Sequence, residues 1–186
     1  MDFVPDQDTQ PVQKTPFFDD VAASQGWHGH TTGRSIDRLR TEIVAALERL
    51  GARVVGFQRG RFTVGEQVRD GFRIRYVDDR SGQVLRGQLD VAALPVKTDW
   101  RLRKSLEKRR DQALRMALFM TREALDGIWY LQHLSPGYAP LMPWMIELQT
   151  GKTLSQLWNE RSLARHLLPA GAGEGEIADA EFEEIS

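Results

Sequence analysis

Ile36, Leu39, Ile43, Ala46, Leu47 and Leu50 recur at three- and four-residue steps, with Arg38, Arg40, Glu42, Glu48 and Arg49 between them. That period gathers the apolar side chains on one stripe and predicts a helix over 36–50. Ser35 is a natural N-cap, and Gly51 stands where a C′ glycine belongs. The period then falls to two. Phe62 and Val64 alternate with Arg61 and Thr63; Phe72, Ile74 and Tyr76 with Arg73 and Arg75; Leu85, Leu89 and Val91 with Arg86, Gln88 and Asp90. Four strands follow, over 53–58, 61–68, 72–77 and 83–91, parted at Arg59-Gly60, Arg69-Asp70-Gly71 and 78–82. Short glycine-bearing breaks favour an antiparallel meander. One sheet face is then apolar, and the other carries Arg61, Arg73, Arg75 and Arg86.

Beyond Pro95 the helical period returns. A long helix is expected from an Asp99 N-cap to about His133, apolar from Ala113 onward. Its first turns carry Arg101, Arg103, Lys104, Lys108, Arg109 and Arg110 around only Leu102 and Leu106. A rigid Pro- and Gly-bearing loop follows, then a short apolar helix over 141–148. Thr153-Leu154-Ser155-Gln156 is a capping box that opens a last helix to about Leu168. The expected fold is therefore α+β: a four-stranded antiparallel meander with an N-terminal helix, one long helix and short C-terminal helices packed on one face. The element order resembles, in topology alone, the core of single-strand annealing proteins, and topology carries no function by itself.

Charge divides the chain. Residues 1–20 hold five acids and one base, and 172–186 hold six acids and no base. The 24 remaining bases and 15 remaining acids lie between them, so that part carries +9. The sequence predicts an acidic, disordered N-terminal arm over 1–26, a basic domain over 27–171 and an acidic, disordered tail over 172–186. The absence of cysteine excludes disulfides, thiol nucleophiles and thiolate metal sites. No run of 18 apolar residues and no signal-peptide pattern is present, so a cytoplasmic, non-membrane protein is expected.

The candidate chemistry follows from that charge. Six cations early in a helix oppose its macrodipole, at about 0.3–1 kcal/mol for each exposed charge. A cluster that works against local stability points to a requirement elsewhere. Arginine also suits bidentate contact with phosphate. Phosphate backbone is thus the expected ligand of Arg61, Arg73, Arg75, Arg86, Arg101, Arg103, Lys104, Lys108, Arg109 and Arg110, tracked without sequence readout. The alternative is an assembly or adaptor subunit. It would bind a protein partner or a second copy through Phe17, Phe18, Tyr138, Trp144, Phe182 and Ile185. Against that, Phe17 and Phe18 also read as an arm that covers apolar domain surface. The acidic tail doubles as a polyanion mimic.

Weaker patterns complete the set. Trp27-His28-Gly29-His30 offers two imidazoles, but a metal needs further ligands and His133 and His166 are remote. Gly151-Lys152-Thr153 lacks the earlier glycine and the preceding strand of a phosphate loop. Glu42, Asp90 and Lys97 are the candidates for a magnesium nuclease, without the close carboxylate-x-lysine spacing. No cofactor and no catalytic residue is expected.

Overall fold

The computed structural model describes residues 15–64, 67–78, 84–99, 101–102, 104–135 and 137–160. Helix α1 spans Ile36–Arg49, and the Ser35 hydroxyl accepts from the Arg38 amide. It is followed by β1 (Ala52–Val64), β2 (Gln67–Asp78) and β3 (Leu85–Ala92). These form one antiparallel sheet in the order β1-β2-β3. Then come α2 (Leu106–Leu134), a 3-10 turn at Met142–Trp144, and α3 (Leu154–Asn159).

The described sheet has three strands, not four, because β1 runs on through the expected break at Arg59-Gly60 and the second expected strand, 61–68, is divided between β1 and β2. Gly60 and Gly71 are not turns. They face each other across the β1–β2 ladder, and neither has a left-handed φ. At Gly71 a Cβ would run into the Phe62 ring, so that glycine answers a close contact.

The second departure is a bulge. The β1–β2 register slips between Val54 and Gly56, which leaves Val55 as an extra, exposed residue. Beyond it Phe57 pairs with Ile74 and packs against the core, and the face of every later β1 residue is reversed from simple alternation. Phe62, opposite Arg69, joins the face of Arg73 and Arg75; Arg61, opposite Asp70, leaves it.

Leu39, Ile43 and Leu47 of α1 meet Phe72, Ile74, Tyr76, Leu89 and Val91 of the sheet and Leu114, Leu118 and Leu125 of α2 in one core. Burying each large side chain contributes about 1.5–3 kcal/mol. The phenol end of Tyr76 lies against Gly87, its partner in register, where a Cβ would fall 2.1 Å from the ring. Its hydroxyl reaches the Leu141 carbonyl at 3.4 Å.

The long helix starts later than expected. Ser105, not Asp99, caps it, its hydroxyl accepting from the Lys108 amide. Arg101 and Lys104 therefore precede the helix, and Arg103 lies outside the described residues. The expected helix over 141–148 is also absent. Pro143 sits inside the 3-10 turn, after which Met145 bridges Gly87 and the Ile146 amide donates to the Arg86 carbonyl. This short extended stretch lies along the β3 edge. The Thr153–Gln156 capping box is present; the expected remainder of its helix, to Leu168, is outside the described residues.

Residues 17–21 pack on the domain. Phe18 and Val21 are buried, the Phe18 amide donates to the Pro95 carbonyl, and the Phe18 ring stacks on His30 at 4.5 Å.

Candidate functional site

The core occupies one face of the sheet; the other carries a set of arginines. Two adjacent rows of the ladder define it. Arg53 pairs with Val77, which pairs with Arg86; one row along, Gly56 pairs with Arg75, which pairs with Gln88. With strands about 4.8 Å apart, the backbones of Arg53 and Arg86 stand about 10 Å from each other, with Arg75 between and beside them. All three side chains are exposed and make no ion pair among the described residues. Gly56 brings no side chain, which leaves the Arg75 guanidinium room on that side.

The next rows are closed by contacts within the sheet. Arg73 forks onto Asp90 at 2.8 and 2.9 Å and lies 5.8 Å from the Phe62 ring centre. Its pKa is raised, above all by the hydrogen bond to Asp90. Arg69 donates to the Ala93 and Ala92 carbonyls at 2.6 and 3.2 Å, and burial lowers its pKa. These two arginines shape the face, while Arg53, Arg75 and Arg86 are left open to a ligand. Arg53 was missed by reading alternation alone, because it precedes the apolar run of its strand.

Arg61 belongs to a second cluster on the helix side of the sheet. Arg59 and Arg61 line a groove with Lys108 and Arg110 of α2, and Asp70, Glu107 and Asp111 line it too. Arg61 lies 3.5 Å from Asp70, and Asp111 pairs with Arg115 at 2.5 Å. The sheet cations expected to contact phosphate are therefore divided between two clusters on opposite faces of the sheet. Arg109 belongs to neither. Its Nη1 donates to both Asp19 oxygens at 3.0 Å and to the Lys97 carbonyl, and its Nε donates to the Lys104 carbonyl. With 7 % of its side chain exposed, it is structural.

The residues expected to bind a protein partner are dispersed. Phe18 is core, and Phe17 lies under the Lys97 ammonium. Trp144 packs against the core, and Tyr138 is exposed. Phe182 and Ile185 lie outside the described residues. An apolar cavity of about 410 Å³ opens beside the 3-10 turn, lined by Leu85, Leu141, Met142 and Met145.

Among the described residues no group of three or more His, Asp or Glu is placed to hold a metal. His28 is exposed. Lys152 pairs with Glu160 and Thr153 caps α3, so the Gly-Lys-Thr triplet serves a turn and a helix start. The three nuclease candidates are each held by a different partner: Glu42 by Arg34 and Arg38, Asp90 by Arg73, and Lys97 by Asp20. No described helix is long and apolar enough to cross a membrane. No family model matches the chain, and neither a curated protein nor a solved structure is significantly similar to it.

Proposed function

We propose that this protein is a non-catalytic nucleic-acid-binding or DNA-processing accessory protein that contacts phosphate backbone across the arginine-bearing face of its sheet. One observation carries the reading: Arg53, Arg75 and Arg86 are neighbours in register on that face and have no acidic partner among the described residues. A phosphate held at exposed guanidinium groups leaves both charges largely in water, so little hydration is lost, and the fork matches two phosphate oxygens. Phe62 lies on the same face farther along the strands, under Arg73. Affinity comes from counterion release and is sensitive to salt.

The test is fluorescence anisotropy with labelled single- and double-stranded oligonucleotides. Three phosphates neutralised on a single strand give a slope of about −2 in log K against log salt. Replacing Arg53, Arg75 and Arg86 by Gln should lower affinity about tenfold or more in low salt and flatten that slope. If neither strand form binds, to the native chain or to one whose 172–186 acids are neutralised, the reading fails.

A second reading, an assembly or adaptor subunit, is favoured by the apolar cavity beside exposed Tyr138 and Met142. It predicts a complex lost on Met142→Glu and indifferent to the sheet arginines.

A further inference from the structure

The chain has two acidic ends, and the described part of one of them is docked on cations. Asp19 sits on Arg109 and on the Lys97 amide, and Asp20 on the Lys97 ammonium. The other end, 172–186, carries six acids and no base. We infer that this acidic segment occupies the arginine face of the sheet in cis, covering Arg53, Arg75 and Arg86 and competing with the polyanion bound there. The inference rests on the proposed function for its consequence, though not for the docking itself.

Three observations carry it. The first is charge complementarity. The sheet face offers three arginines with no acidic partner among the described residues, whereas the groove at Arg59, Arg61, Lys108 and Arg110 already holds Asp70, Glu107 and Asp111. The second is where the chain leaves the described part. Leu154 follows the stretch in which the Met145 carbonyl accepts its amide, Met145 bridges Gly87, and Ile146 bonds Arg86. The described part ends at Glu160, six residues further on, so the chain leaves it within one short helix of the β3 edge, the strand that carries Arg86. The third is reach. Thirteen residues lie between Glu160 and Glu174, which makes fourteen steps along the chain. At no more than about 3.3–3.6 Å each they span up to about 50 Å, which is ample to cross a three-stranded sheet about 10 Å wide. Tethering makes the encounter intramolecular, so a contact too weak to persist between separate molecules is populated.

The experiment uses the full chain. In one variant all six acids are neutralised: Glu174→Gln, Glu176→Gln, Asp179→Asn, Glu181→Gln, Glu183→Gln and Glu184→Gln. It should bind oligonucleotide about fivefold or more tighter than the native chain in low salt, the difference shrinking as salt is added. A labelled peptide of residues 172–186 should bind this variant in trans. Adding Arg53, Arg75 and Arg86→Gln should abolish peptide binding, and adding Arg59, Lys108 and Arg110→Gln should leave it. A peptide that does not bind, or that responds to the second set and not the first, overturns the docking. Equal oligonucleotide affinity of native and neutralised chains overturns the competition and leaves the proposed function standing. Peptide binding by a chain that binds no oligonucleotide upholds the docking and sinks the proposed function.

Discussion

Single residues fix the places where this fold tolerates least. Gly87 lies against the Tyr76 ring, and Tyr76 is wedged against the core with almost no exposed surface. Gly87→Ala should cost about 1–3 kcal/mol in denaturant unfolding, because the ring has nowhere to move. Gly60→Ala is the matched control, since its Cβ would meet open space; it should be neutral or slightly stabilising. Tyr76 also sets an alkaline limit. Burial first, and the Asp78 carboxylate second, raise its pKa above the ordinary tyrosine value. A raised pKa contributes stability that is complete below the unfolded value, about 10, and is lost as pH rises above it. The thermal midpoint of the native chain should fall between pH 10 and 11, and Tyr76→Phe should fall less steeply over the same range.

Among the elements, α1, α2 and α3 were legible because three-to-four-residue spacing and side-chain caps are local signals. The Ser35 and Thr153 caps stand where the sequence places them. The strands were legible as apolar alternation, yet their number and facing were not. Gly60 and Gly71 carry the turn signal of short loops while sitting mid-strand; at Gly71 the glycine marks the close approach of the Phe62 ring, whereas at Gly60 nothing lies near. The extra residue at Val55 has no local signature, and it moves Arg61 off the candidate face and Phe62 onto it. The start of α2 was misjudged because Asp99 and Ser105 are equally good caps by chemistry. The candidate site was thus half visible: Arg73, Arg75 and Arg86 lie on the predicted face, whereas the pairing of Arg73 with Asp90 depends on cross-strand register. The bulge is testable. Deleting Val55 leaves every β1–β2 partner in place and should change stability by no more than about 1 kcal/mol. Deleting Gln58 inverts the strand beyond it and should cost roughly 2 kcal/mol or more in the same unfolding measurement.

Across the whole molecule, opposite charges tie the segment that precedes α1 to the centre of the chain. Asp19 and Arg109, ninety positions apart, form a pair with less than a tenth of either side chain exposed. Removing one member leaves a buried charge whose remaining partners are the Lys97 and Lys104 carbonyls. Asp19→Ala should therefore cost about 3 kcal/mol or more in chemical denaturation, and the double substitution with Arg109→Met should recover much of it. The short stretch at Met145 and Ile146 covers the β3 border of the sheet. On the far border, β1 runs thirteen residues with no further strand beside it among the described residues. A bare rim of that length is a template onto which another molecule can add its own backbone. Arg53, Arg59 and Arg61 stand along it as like charges that two copies must bring together before their ladders can join, and the misaligned amide at the Val55 bulge interrupts what remains. Charge along that rim thus disfavours the stacking of one copy on another, and Arg53 alone of the three also belongs to the arginine face of the sheet.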